Sequence, residues 1–203
     1  MNRNTLISRQ GLVPLLVATL AGVLVLHFIG LPESLPFWVL ALLILVLFRD
    51  PERDIPSIPL SVLSPADGRV VEIEKAEDPY LHRASLKVSI EMNAAGVYTT
   101  RSPISGKVME PPNNPRGDQS PHGVWLQTDE GDDIVLVMNR GRLHNKPRCY
   151  IRIGDRVGQG KRCGFVHLGG RVDMYLPENS RPQVSAGNAV HAGADVIAKL
   201  VHN

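Results

Sequence analysis

Cysteine is scarce in this 203-residue chain, which contains only Cys149 and Cys163. Two thiols with no partner cluster make neither a zinc site nor a disulfide framework, so they read as buried free thiols in a reducing compartment. Charge of one sign is also lacking. The 22 Lys and Arg residues stand against 20 Asp and Glu, which excludes the strongly basic footprint of a nucleic-acid binder. His82, His122, His144, His191 and His202 are scattered without metal-ligand spacing, so no metal is expected. His27 falls in an apolar run, where it reads as a core or interface residue. After Arg49 there is no long apolar run and no helical pattern beyond a turn or two.

What is present is concentrated at the start. Residues 11–30, "GLVPLLVATLAGVLVLHFIG", hold no formal charge over 20 positions, long enough to cross a hydrocarbon core as a helix. Residues 35–48, "LPFWVLALLILVLF", form a second run of 14, with Ser34 as a cap and Pro36 tolerable in a first turn. A signal peptide ends at small residues after a shorter apolar stretch, whereas here a second run follows at once. Arg3 and Arg9 precede the runs, Arg49 and Arg53 follow them, and the connector "LPESLP" carries only Glu33. The positive-inside rule then puts both ends in the cytoplasm. The expected organisation is a cytoplasmic N-terminus (1–10), a transmembrane helical hairpin (11–48), a junction (49–60) and a β-rich domain (61–203). A re-entrant hairpin in one leaflet is the alternative.

From residue 57 onward, short β-prone runs alternate with turn residues. Strands are expected over 68–76, 84–92, 123–129, 133–139, 149–153, 163–168, 171–176 and 195–201. Eight short strands point to an all-β sandwich or barrel-like domain. A repeat is visible in "SPADGRVV" (64–71) and "SPISGKVM" (102–109). There Pro sets the first turn residue and Gly supplies positive φ. A second pair, "RIGDRVGQGKRCG" (152–164) and "SAGNAVHAGADVIA" (185–198), shares G-[DN]-x-V-x-x-G. Both pairs suggest two similar halves wrapped around each other. His167 alternates with Val166 and Leu168, so it is expected to face solvent, with recruitment to a hydrolytic site as the functional alternative.

Four stretches in order resemble the short, membrane-anchored bacterial phosphatidylserine decarboxylases. They are "LFRDPERDIP" behind the apolar hairpin, "LSPADGRVVEI", "SIEMNAAGVYTTRSPISGKV", and "RCYIRIGDRVGQGKRCGFVHLGGRVDMYLP". The resemblance implies a duplicated β fold, an aminophospholipid substrate and a pyruvoyl cofactor made from the chain itself. In that family a serine hydroxyl attacks the preceding glycine carbonyl and the resulting ester eliminates. The serine thereby becomes a ketone at the head of the new fragment. A histidine oriented by an aspartate is the base.

Position by position, the resemblance assigns the aspartate to Asp67. It puts the histidine at Tyr98, the following arginine at Arg101, and the asparagine or aspartate of the central motif at Gly96. The glycine–serine pair maps to Gly169 and Gly170. Glycine has no Cβ and no hydroxyl, so no pyruvoyl group is expected from residue 170. A phenol with a pKa of about 10 is protonated at neutral pH, which makes Tyr98 a poor base. Ser180, Ser185 and Cys163 lie in other contexts and do not replace the serine.

The reading that follows is a decarboxylase-like protein of the bacterial cytoplasmic membrane that does not cleave itself and carries no cofactor. It would act as a non-catalytic lipid-binding or scaffolding homologue. Its remnant site would be Asp67, Tyr98, Gly169 and Gly170, with Arg101 and Arg171 binding the lipid phosphate or carboxylate. For Asp67, stabilisation of the turn before Gly68 is an equal alternative, as is a structural role at a strand end for Arg101. The expected partners are a membrane aminophospholipid and either a second copy or a phospholipid-synthesis protein. Two alternatives stand beside it: an active phosphatidylserine decarboxylase with an atypical site, and a membrane-tethered β module that binds a protein.

Overall fold

The structure, a computed structural model, describes residues 8–51, 53–94, 96–112, 123–139 and 146–201. Arg3, His122, His144 and His202 lie outside the described residues. The chain divides into two units, Met1–Glu52 and Arg53–Asn203.

The first unit is a pair of helices, α1 (Arg9–Phe28) and α2 (Leu31–Leu47). Within α1, Gln10–Phe28 is 19 residues long and apolar enough to cross a membrane. At 17 residues, α2 rises only about 25 Å, short of a hydrocarbon core of about 30 Å. The break falls at Gly30, whose φ of +142° suits glycine. The connector expected over residues 31–36 is therefore helical throughout. Ser34 lies inside α2, where its hydroxyl donates to Leu31 O at 2.8 Å instead of capping. A Cβ at Gly22 would already stand 3.3 Å from Phe37 Cβ, so a small residue lets the helices approach. Ser8 N donates to Phe48 O at 2.9 Å, which closes the hairpin at its open end. Large apolar side chains point outward on both helices, among them Val13, Leu16, Val17, Val39 and Leu42. In water that surface would be a liability; in lipid it is the solvated face.

The second unit is mostly β-sheet. Its strands are β1 (Ser61–Leu63), β2 (Gly68–Asp78), β3 (Arg83–Met92), β4 (Thr99–Arg101), β5 (Gly106–Met109), β6 (Gly123–Gln127) and β7 (Asp133–Met138). They continue with β8 (Arg148–Cys149), β9 (Arg156–Val157), β10 (Arg162–Phe165), β11 (Arg171–Pro177), β12 (Arg181–Pro182), β13 (Ala189–Val190) and β14 (Val196–Lys199). One sheet runs β13-β2-β3-β11-β7-β6-β5-β9, and two small ones run β1-β14-β12 and β4-β10-β8. The expected strand over 149–153 is only β8, because the chain turns at Gly154 (φ +90°). Alternation decides which side chains go inside. Val88, Ile90, Val172, Met174 and Leu176 are fully buried or nearly so in one continuous core. Each such side chain contributes about 1.5–3 kcal/mol by leaving water.

The two repeats make the same hydrogen bonds twice. Leu63 N donates to Pro103 O at 2.9 Å, and Arg101 N donates to Pro65 O at 2.8 Å. Ser64 Oγ reaches Ala66 O and Ser102 Oγ reaches Ile104 O, both at 2.8 Å. The second repeat follows suit. Gly193 N donates to Ser64 O at 2.8 Å and Gly160 N to Ser102 O at 2.9 Å. Gly187 N bonds Val70 O as Gly154 N bonds Val108 O, and Val190 pairs with Gly68 as Val157 pairs with Gly106.

This arrangement corrects the reason for the repeat glycines. Gly68 and Gly106 do not take positive φ. A Cβ there would lie 2.1 Å from Glu91 O and 2.3 Å from Gln127 O, so glycine is needed for close approach of a neighbouring backbone.

Candidate functional site

The register of the large sheet gathers several of the singled-out residues at one end. Gly68 pairs with Met92, and Met92 N donates to Gly170 O at 2.8 Å. Asp67 is thus one residue beyond the end of β2, on the strand next but one to the Gly169–Gly170 turn. Val166 N donates to Tyr98 O at 2.9 Å, which brings the stretch before β4 against the stretch entering that turn.

The turn itself is strained. Leu168 has φ +56° and Gly169 φ +72°, two successive left-handed residues. For leucine that conformation costs about 1–2 kcal/mol. A Cβ at residue 169 would lie 2.9 Å from Met92 O, so conformation and space both require glycine there. The flanking peptides are pinned on both sides, by Met92 N on Gly170 O and by Asn139 N on Arg171 O at 2.9 Å.

Asp67 accepts two hydrogen bonds, from Arg53 Nη2 at 2.6 Å and from Ala192 N at 2.7 Å. The second has an exact counterpart in kind in the other repeat, where Ser105 Oγ accepts from Gln159 N at 2.9 Å. The carboxylate thus ties its turn to the distant chain at Ala192 and not to the turn's own backbone, and a hydroxyl makes the matching bond at the equivalent position. The ion pair with Arg53 is what the carboxylate adds. Nothing in the sequence reading marked Arg53 as a partner, although it stands in the junction stretch that helped carry the resemblance.

Tyr98 is 2% exposed and packs edge-on against Phe165 at 5.9 Å between ring centroids. Its hydroxyl donates to Ala94 O, back into its own loop. Burial pushes the phenol above its ordinary value, so it stays protonated at neutral pH. His167 does not stand clear in solvent as alternation suggested. The strand has ended at Phe165, and the imidazole is half-buried against the Phe165 ring at 4.8 Å. Burial and then the nearby Arg148 charge lower its pKa, so it is neutral at pH 7. Burial drives the Cys163 thiol up to about 12, which removes it as a nucleophile near neutrality.

The two arginines are placed differently. Arg101 is buried and donates through Nη1 to Gly160 O at 3.1 Å, with its Cδ 2.8 Å from where a Gly193 Cβ would be. It therefore lies against two equivalent turn glycines, one from each repeat. Arg171 is half-exposed and joins an ion-pair network that the sequence reading missed. It donates to Asp173 Oδ1 and to Ser89 Oγ, each at 2.8 Å, and to Glu72.

Asp173 also accepts from Ser89 Oγ at 2.6 Å and Asn139 Nδ2 at 2.7 Å. Burial opposes its ionisation, but the bonds from Ser89, Arg171 and Asn139 outweigh burial and hold the carboxyl below its ordinary value. A lowered folded-state pKa stabilises the fold above the unfolded value of about 3.9 and loses that contribution as pH falls through the folded value. Asp173→Asn should therefore flatten the acid side of the stability profile. Unfolding followed by circular dichroism from about pH 2 to 6 reads the difference. Equal acid slopes in the two proteins would refute it.

The family profile and the similar sequences agree with one another on the family. The "Phosphatidylserine decarboxylase" family profile matches residues 40–198. A phosphatidylserine decarboxylase proenzyme of Nitrosomonas europaea is 36% identical over 96% of this chain and 95% of that protein. One from Cupriavidus metallidurans is 39% identical over the same shares. Among solved structures, the glucose permease IIA of Mycoplasma capricolum superposes with a TM-score of 0.45 at 19% identity. That match covers 68% of this chain and 94% of that one.

These matches overturn two expectations, that the protein is a non-catalytic lipid-binding or scaffolding homologue and that it needs no cofactor. Relatives matched over almost their whole length are proenzymes, chains that mature by processing, and the family's implied cofactor is pyruvoyl. Two changed side chains, Tyr98 and Gly170, stand in a chain that otherwise matches those proenzymes from end to end. The pyruvoyl group itself does not fit residue 170: the group has three carbons, and Gly170 supplies no Cβ. With a profile match across most of its length and proenzyme relatives at 36–39% identity, the chain belongs to the phosphatidylserine decarboxylase family.

Proposed function

We propose that the protein is a phosphatidylserine decarboxylase that yields phosphatidylethanolamine at the bacterial cytoplasmic membrane through an atypical site. The observation that carries this is the alignment with proenzymes over 96% of the chain, anchor included. Arg3, Arg9, Arg49 and Arg53 flank the hairpin and Glu33 interrupts it, which supports a cytoplasmic β domain on residues 61–203 behind a junction at 49–60. The hydrogen bonds made in duplicate support a duplicated, barrel-like fold.

Asp67, Tyr98 and the Gly169–Gly170 turn occupy the family's processing positions. Arg101 and Arg171 are the candidate cations for lipid phosphate or carboxylate, Arg171 being the more exposed, and a guanidinium suits both because it pairs through two parallel donors. Tyr98 remains a phenol at neutral pH, so it serves as a hydrogen-bond donor and not as a base. The test is conversion of phosphatidylserine to phosphatidylethanolamine by the full chain reconstituted in vesicles, with intact mass taken on the same sample. Turnover is the expected result, and the mass locates any cleavage and any keto group. A folded, inserted chain that makes no phosphatidylethanolamine would refute the proposal.

A further inference from the structure

We infer that the turn around Ile153 is a second membrane contact, a rigid cationic tip by which the β unit docks on an anionic lipid surface. The observation behind it is a difference between the two copies of one turn. Residues 152–156 (Arg, Ile, Gly, Asp, Arg) and 185–189 (Ser, Ala, Gly, Asn, Ala) make the same backbone bonds. Gly154 and Gly187 share the same left-handed conformation, at φ +90° and +94°. The second copy shows that the turn needs neither a large apolar residue nor an arginine. The first copy carries both.

Geometry puts these groups outward. Cys149 and Ile151 pack on the core, so alternation turns Arg148, Tyr150 and Arg152 to the other side, where all three are exposed. Ile153 is 61% exposed at the tip, and a Cβ at Gly154 would meet nothing within 4 Å. The tip is nevertheless fixed, since Gly154 N donates to Val108 O and Val108 N to Asp155 O. Among the described residues, Arg148 and Arg152 make no ion pair, while Arg156 pairs with Asp129.

Charge complementarity selects the occupant. Residues 146–162 hold six Lys and Arg against the single acid Asp155, a net +5 in a chain whose total is +2. Cations around an exposed Tyr and Ile suit a bilayer interface with anionic headgroups. The same repeat also meets the junction stretch. Ile55 approaches Gly160, at the far end of the same repeat, closely enough that a Cβ there would lie 2.6 Å from it. Ile55, Ile58 and Leu60 of this junction are themselves exposed.

The test uses the full chain in nanodiscs of phosphatidylcholine alone and of phosphatidylcholine mixed equally with phosphatidylglycerol. Phosphatidylglycerol carries the charge but no amine, so the result is independent of any decarboxylation. Amide hydrogen exchange over 150–156 should slow about fivefold in the anionic discs, the factor one cation near such a surface is worth. Arg148→Glu with Arg152→Glu should abolish the slowing, and Ile153→Ser should reduce it. Equal exchange in the two discs would overturn the inference. So would slowing that survives the charge reversal, or slowing present in neutral discs, which would signal a protein contact instead.

Discussion

A valine in place of Gly68 should leave no stably folded β unit. The Cβ it introduces would sit 2.1 Å from Glu91 O and 2.8 Å from Glu91 C, both backbone atoms of the neighbouring strand. No rotamer relieves such a clash, so β2 would have to part from β3 along a ladder that runs from Gly68–Met92 to Asp78–Arg83. Overpacking by side chains alone costs about 1–3 kcal/mol, and losing the central pairing costs more. A domain stable by about 5–15 kcal/mol does not absorb that comfortably. Gly106→Val should behave alike, because its Cβ would lie 2.3 Å from Gln127 O. Gly158→Ala is the control. Its Cβ would meet only Lys161 Cγ at 3.5 Å, and it should melt within a few tenths of a kcal/mol of wild type. Thermal unfolding by circular dichroism decides; a Gly68→Val protein melting near the wild type would show that the strands approach less closely than described.

Asp67→Leu and Asp67→Ser should differ sharply, although both remove the carboxylate. Leucine takes away the acceptor for Ala192 N and the partner of Arg53, whose side chain is only 22% exposed. Two donors left without partners cost about 2–4 kcal/mol together. Serine keeps an oxygen at the position where Ser105 already accepts from Gln159 N in the other repeat. It should retain the turn and lose only the ion pair, about 1 kcal/mol at this exposure. The measurement is denaturant unfolding of both variants beside Arg53→Ala. If Asp67→Ser falls as far as Asp67→Leu, the carboxylate supports the turn in a way the duplicated bond does not explain. If Arg53→Ala is silent while both fall, the ion pair contributes nothing to stability.

Much of this fold is written in local pattern. The long strands β2, β3, β7 and β11 were legible because apolar residues alternate or run together over strand length. The hairpin was legible because nothing but lipid solvates such a run. The repeats were legible as spacing, yet the role of their glycines was not: Gly68 looks like any turn glycine until Glu91 is known to lie beside it. Strands of two residues such as β12 and β13 exist only because a distant partner offers hydrogen bonds, so no local signal marks them. The site divides in the same way. Asp67 and the Gly169–Gly170 turn stood out by resemblance, whereas Arg53, Ser89 and Asn139 join them only through pairings made across the chain. Residue identity at Tyr98 and Gly170 points to lost activity, whereas the relatives matched over the whole chain are proenzymes.

The pairing order also dictates when the molecule can come into being. β1 is completed by β14, and β3 meets its second neighbour only when β11 arrives from near the far end of the chain. The apolar α1 is made before any strand, while β1 to β5 each wait for a partner made late. Such long-range closure is slow and leaves unpaired edges waiting. An anchor made from α1 is therefore complete in the chain before the sheet can close, so a chain held by it would fold as a tethered polymer.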